Sequence, residues 1–540
     1  MTTLITPSKN LGYSNIYLDF LAGADAVKNF YQSQDMEFVS KQIARVKYDR
    51  EKLVEILRNQ NRKYGSSQKA FANIENLKSA DSLAIFSGQQ AVFFGGPMLI
   101  MIKALALVKT AEQYSQKLAR AVVPIFWIAG DDHDFEEANH TTVLNKQSEE
   151  VTISYHTRPS QEISVAEFGL SDAAELDRAN SLYKEALGKS DFTDQLYRLI
   201  DKSYQPGETF VTAFGKLLAG LTTEFGLVLF SPGEAAVKKH AVKFFKVLVN
   251  KQDEIHQALS STNRRIQEMG YHLQVQKPDN SAHLFYNLQG RKPVLREGAE
   301  FRVVDKIFSK EELLNQIEKE PQKFSPDVLT RPVFQSWLFP VAVQLGGPAE
   351  IAYLAQSSPI FELFGLTAPI YRNRPSATFL EKHFEKMMDE YNICFEDLTG
   401  DIEQVINRVL AKSFPENLEK EMANLRKNIE FEFEAIKKTS LEFDPSLKDF
   451  AQQTFGKMDF TLKQFQEKVF ASHKKKSQDV RLRIYRFWHT LFPAKGLQER
   501  TLNVGYFLSK YGFGFMNFMY KKIDVSEKSH QLISLSDYPN

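Results

Sequence analysis

The sequence predicts an α/β protein built on a doubly wound parallel sheet and followed by a long-helical region. Three observations carry this expectation. Four short apolar runs, at 83–86, 122–129, 227–230 and 341–343, each end in turn or capping residues, as buried strands do. Helical patterns follow them, at 98–113 after the first run and beyond Pro232 and Glu234 after the third, where proline at the first helical position and an early acid favour a start. Continuous apolar runs set between helices are the mark of parallel strands covered on both faces. From about 379 onward Gly and Pro become scarce and charged residues interleave with apolar ones, which implies long helices.

The core is expected over 1–380, with insertions near 148–204, polar and partly helical, and near 271–330, where strands and turns alternate. Within 381–480, Leu418, Met422, Leu425, Ile429 and Ile436 recur at close to a heptad spacing. Asp444-Pro445-Ser446 breaks the series, and Leu447, Phe450, Thr454, Met458, Leu462, Phe465 and Val469 resume it. This pattern predicts a helical hairpin and, as a hypothesis, a homodimer formed through it. Residues 481–540 are expected to pack back on the core.

A chain of 540 residues exceeds what one hydrophobic core usually serves. Its 68 basic and 67 acidic side chains nearly cancel, which removes the electrostatic warrant for binding nucleic acid or an anionic membrane surface. The single cysteine, Cys394, allows neither an intrachain disulfide nor a cysteine-based zinc site and reads as a core thiol in an apolar helical setting. The first twenty residues have no basic segment followed by an apolar stretch, and the best apolar run, 98–108, is interrupted by Lys103. A cytoplasmic protein is expected.

Chemistry is expected at four places. Ser87, Gly88, Gln89 and Gln90, continuing to Gly95, Gly96 and Pro97, link the first strand to its helix; glycines before a helix start make an anion nest, or merely a tight turn. Gln344, Gly346, Gly347, Pro348 and Glu350 repeat the arrangement after the fourth run. Two such turns suit a ligand with two anionic ends or a substrate beside a nucleotide. Asp131, Asp132, His133 and Asp134, with Asn139 and His140 just beyond, end the strongest strand, where open α/β sheets bind ligands. Asp132, His133 and Asp134 are the candidates for acid–base work, although an aspartate there can also simply cap a helix. Arg372 and Arg374 follow a further strand-like stretch and could clamp a carboxylate or phosphate, or else form surface ion pairs. Neither glycine turn matches a P-loop or a GxGxxG fingerprint. No metal ligand set is assigned. A metal-dependent hydrolase using Asp131, Asp132, His133, Asp134 and His140 stays open, as does a non-catalytic assembly protein organised by the helical arm.

Taken together, SGQQAVFFGGP, VVPIFWIAGDDHDFEEANH, RPVFQSWLFPVAVQLGGPAEIAYLAQ and LFPAKGLQER closely resemble the BshC family of bacillithiol biosynthesis, over essentially the whole chain. The resemblance implies a Rossmann-like core with connecting insertions, similar to nucleotidyltransferases, and a coiled-coil arm used for dimerisation. It also implies a ligase that attaches cysteine through an amide to the amino group of glucosaminyl-malate. Forming an amide from a free carboxylate is uphill, so ATP is the expected activator, through an acyl-adenylate or acyl-phosphate. The first loop departs from the nucleotidyltransferase pattern: Phe93, Phe94, Gly95, Gly96 and Pro97 stand where a histidine-bearing HxGH-type signature would be.

Overall fold

The apolar runs become the centre of a five-stranded, all-parallel sheet. Its strands are β1 (Leu83–Gln90), β2 (Val122–Ala129), β3 (Val228–Phe230), β4 (Val341–Gly346) and β5 (Ile370–Asn373), in the spatial order β5-β4-β1-β2-β3. The chain builds outward from β1 through β2 to β3, then returns to the other side of β1 for β4 and β5. Strand order therefore reverses between β1 and β4. At such a switch point the connections diverge and leave a crevice outside the carboxyl ends of the strands. Helix α1 (Leu99–Leu118) carries the chain from β1 to β2 and buries Ile100, Ile102, Leu105 and Leu107 against the sheet core, each such side chain contributing roughly 1.5–3 kcal/mol.

The computed structural model describes residues 2–7, 11–31, 35–132, 134–158, 163–288, 290–413 and 417–539. It falls into two units, Met1–Lys382 with Pro493–Asn540, and His383–Phe492. In the first, the stretch after β2 forms an antiparallel hairpin (His140–Leu144 with Glu150–Ser154) and helices Ala173–Leu187 and Thr193–Ser203. A second excursion is a five-stranded antiparallel sheet that contains Ser281–Asn287, Arg291–Glu297 and Phe324–Pro326. Helix α2 (Arg331–Leu338) then leads into β4, and α3 (Pro348–Ser357) leaves it. The C-terminal strand His530–Ser534 lies between Thr2–Ile5 and Ser376–Leu380.

Two starts differ from the sequence reading. β1 stays paired with β2 as far as Gln90 opposite Ala129, so 87–90 are strand rather than loop, and the next helix begins at Leu99, two residues after Pro97. After β3 the helix is Ala235–His240 with Glu234 as its N-cap, which leaves Pro232 outside it.

In the second unit, α4 (Leu418–Phe443) and α5 (Lys448–Leu491) form the hairpin around a turn at Pro445–Leu447. The Phe433 and Phe455 rings lie 5.4 Å apart, and Arg426 pairs with Asp459 at 2.7 Å. Both contacts fit antiparallel helices. With no proline between Pro445 and Pro493, α5 runs past 480, so 481–492 belong to the helical unit and only 493–540 to the first. Cys394 is exposed beside the short helical turn Phe395–Thr399 rather than a core thiol. Among the described residues no helix is long and apolar enough to cross a membrane.

Candidate functional site

A cleft of about 960 Å³ opens at the switch point, walled by the ends of β1, β2 and β4, by α2 and α3, and by Phe285 and Arg291 of the antiparallel sheet. The three segments singled out in the sequence meet there. Gly88, Gln89 and Gln90 line it from β1, Asp131, Asp132 and His140 from beyond β2, and Gln344, Gly347 and Glu350 from β4 and α3.

One lysine holds the switch point together. Lys103, on α1 and almost wholly buried, gives its Nζ to the Gly88 carbonyl at 2.9 Å, Gln89 Oε1 at 2.9 Å and Glu350 Oε2 at 2.7 Å. Buried lysines persist only when paired, and here the partners come from both sides of the reversal. Glu350 also accepts the Gly347 N–H at 2.8 Å. The protein's own carboxylate thus takes the helix-start donor that the sequence reading offered to a ligand. Burial alone would raise the Glu350 carboxyl, but the Lys103 ammonium, the Gly347 N–H and Arg331 outweigh it and hold it below the usual carboxylate range.

Two more buried ion pairs fix the walls. Lys238 meets Asp131 Oδ2 at 2.9 Å, so Asp131 is a tether as well as a lining residue. Arg374 lines the cleft, yet its guanidinium is committed to Glu499 at 2.8 Å and to the Pro375 carbonyl at 2.9 Å. The expected arginine clamp does not form. Arg372 points elsewhere, exposed and near the Tyr114 hydroxyl at 3.4 Å.

Other expectations are corrected in the same way. Gly95 and Gly96 make no anion nest: their N–H groups bond to the Val92 and Phe93 carbonyls, the Gly95 N–H also to the Tyr204 hydroxyl, and Asn503 takes the Gly96 carbonyl. Packing demands glycine here, because φ is +85° and +61° and an added Cβ would lie 2.9 Å from Leu217 and 2.8 Å from Val92. Ser87 is buried and ties β1 to the Leu345 carbonyl, and the Gly346 carbonyl accepts the Arg374 N–H. Asp134 caps the short helix Phe135–Ala138 through the Glu137 N–H. Asn139 is buried and sits 3.0 Å from His140 Nδ1, where it orients that ring. His133 lies outside the described residues. Asp131, Asp132, Asp134 and His140 do not gather as a cation site; among the described residues no three His, Cys, Asp or Glu side chains do.

Several cleft residues escaped the sequence reading. Arg291 is stacked 3.6 Å from the Phe285 ring centroid and lies 3.7 Å from Asp132. Arg331 donates to the Tyr353 hydroxyl. Asp327 accepts from His283 Nδ1 at 2.9 Å and from the Leu329 and Thr330 N–H groups; burial opposes its ionisation, but His283 and these donors bring its carboxyl down to about 2. Glu137 shows the opposite tendency at the cleft mouth, where partial burial and then Asp134 and Asp132 push its carboxyl up. A raised carboxyl beside other carboxylates can move protons; a fully bonded one such as Asp327 positions others. The only sequence signal for Lys103 was its interruption of an apolar helix.

Comparison with known proteins agrees with this fold. The family model for the N-terminal Rossmann-like domain of bacillithiol biosynthesis BshC matches residues 1–375, and that for the C-terminal coiled-coil domain of the same family matches 377–535. A protein of Salinibacter ruber named "Putative cysteine ligase BshC" is 28% identical, with 98% of both chains covered. Relatives of the same name from Koribacter versatilis and Bacillus cytotoxicus are 30% and 28% identical, covering 93% and 91% of this chain and 94% and 91% of their own.

Proposed function

The chain belongs to the BshC family of bacillithiol biosynthesis, and from that premise and the chemistry of the cleft we propose that it is a ligase joining cysteine to glucosaminyl-malate through an amide bond. One observation carries the reading: cationic side chains able to hold anionic groups and carboxylates able to accept a proton line the same cleft at the strand-order reversal. Amide formation needs that pairing, because an anionic acid must be activated while an ammonium loses its proton before it attacks.

In this reading Glu137, with its raised carboxyl, takes the proton from the sugar amine, and Asp132 beside Arg291 orients the sugar. Arg291, Lys277 and Arg500 line the cleft and fit the phosphates of a nucleotide, held by side chains rather than by a glycine loop. ATP, when bound, supplies the activation of the cysteine carboxylate. The buried Lys103–Glu350 and Lys238–Asp131 pairs keep the strand ends in place while these groups act.

The arm is read as a homodimer contact. Its support is apolar surface left open on both helices: Phe431 is 75% exposed, Ile436 63%, Phe443 90% and Phe450 70%, and large exposed apolar patches mark interaction sites. The test of the activity is direct. The protein is incubated with glucosaminyl-malate, cysteine and ATP, and the condensation product and spent nucleotide are read by mass spectrometry. Product that requires all three reactants is the expected result; no product with any nucleotide would overturn the reading.

A further inference from the structure

Four buried polar side-chain atoms on the wall of the cleft have no hydrogen-bond partner among the described residues: Trp127 Nε1, Arg331 Nε, Gln335 Oε1 and Gln344 Oε1. Trp127, Gln335 and Gln344 are 2%, 4% and 5% exposed. Buried polar groups are almost always paired, so exceptions gathered in one cavity mark a place that a ligand completes.

Their chemistry is divided. The indole and guanidinium N–H groups can only donate, whereas the two amide oxygens accept. Arg331 differs from the other buried cations here. Lys103, Lys238 and Arg374 each meet a carboxylate directly, at 2.7, 2.9 and 2.8 Å, while Arg331 donates to the neutral Tyr353 hydroxyl and acts on Glu350 only through space. A guanidinium in that state, sharing a cavity with an unmet indole N–H, suits a carboxylate. Gln335 lies one turn further along the same face of α2, about 6 Å away by helix geometry. The wall therefore calls for an anionic acceptor and, within a few bonds of it, a donor with more than one hydrogen. A bare sugar has no negative charge for Arg331, a free hydroxy acid has a single hydroxyl hydrogen for two amide oxygens, and in glucosaminyl-malate the amino group stands several bonds from either carboxylate. The α-carboxylate and α-ammonium of an amino acid meet both demands.

We propose that Trp127, Arg331, Gln335 and Gln344 form the subsite for the zwitterionic head of a free α-amino acid. In the ligase reading above, on which this assignment rests, that amino acid is cysteine. The subsite shares the cleft with Gln89 and Lys103, and on β4 Gln344 pairs in register with Phe86 of β1.

Calorimetric titration of the full chain under reducing conditions tests this with three thiols: L-cysteine, cysteamine, which lacks the carboxylate, and 3-mercaptopropionate, which lacks the ammonium. Both analogues are expected to bind at least about tenfold more weakly than cysteine, as for the loss of a charged hydrogen bond. Trp127→Phe keeps the ring, removes the N–H and is expected to weaken cysteine by about tenfold while glucosaminyl-malate binds within about twofold of wild type. Either analogue matching cysteine, or Trp127→Phe weakening glucosaminyl-malate instead, overturns the subsite and leaves the ligase reading standing. Failure of the wild-type protein to bind cysteine, alone or with glucosaminyl-malate and ATP, removes both.

Discussion

The cleft and the helical hairpin are unfinished in opposite ways. Around the cleft, charges are buried and matched: Lys103 with Glu350 and Arg374 with Glu499 have side chains that are 3% and 22%, and 4% and 0%, exposed. What is left unmet is polar. In the hairpin the ion pairs lie at the surface, as with Lys437 and Glu434 at 25% and 56% exposure, and what is left unmet is apolar, with Phe443 and Phe450 in solvent. The difference teaches where each region gets its order. The first is held by desolvated charges that tolerate no loss of a partner; the second is held by helix periodicity.

The comparison breaks most visibly if its ion pairs are exchanged. Lys103→Met strands the Glu350 carboxylate and is expected to lower unfolding free energy by about 3–5 kcal/mol in urea, whereas Lys437→Met should change it by less than about 1 kcal/mol. Equal losses would erase the distinction. Next in size is a pH effect confined to the first unit. His530 is buried between Ser376 and Thr378, at 2.7 and 2.9 Å, and burial lowers its pKa from 6.5 to about 4, with Glu499 opposing that shift. Because the folded value lies below the unfolded one, the contribution is fully present above pH 6.5 and is lost as pH falls toward 4. The loss reaches up to about 3 kcal/mol. Unfolding curves measured across that window should flatten in His530→Gln.

Smaller effects sharpen the functional half. Glu137→Gln cannot accept a proton and should reduce the rate of product formation by about 100-fold with the thermal midpoint nearly unchanged, since the side chain lies at the cleft mouth. In the hairpin, Phe443→Ser with Phe450→Ser should leave helix content intact and shift sedimentation toward the monomer. An unaltered sedimentation profile would mean that these rings are covered by nothing.

The fold class was legible because strand identity depends on local apolar runs, and each of the four runs lies in the parallel sheet. The reversal between β1 and β4 was not, since strand order is a long-range property that no local pattern encodes. The site was legible only in part for the same reason. Asp132 and Gly347 follow strand ends, which the chain pattern reveals, whereas Gly88 lies inside β1. Gly95 and Gly96 carry the same local signature but serve aromatic packing around Phe93 and Phe94, and only the tertiary partners Tyr204 and Asn503 tell the two glycine turns apart. Arg291 was missed because it enters the cleft from an inserted sheet with no motif around it, and Arg331, although it opens the string RPVFQSWLFPVAVQLGGPAEIAYLAQ, was missed because nothing local tells which face of the helix before β4 meets the cleft.

Hydrogen–deuterium exchange with and without glucosaminyl-malate tests the central claim most directly. The account predicts slowed exchange in peptides covering 88–92, 131–140 and 347–353, with 418–491 unchanged. Protection confined to the hairpin, with the strand ends exchanging as before, would contradict it.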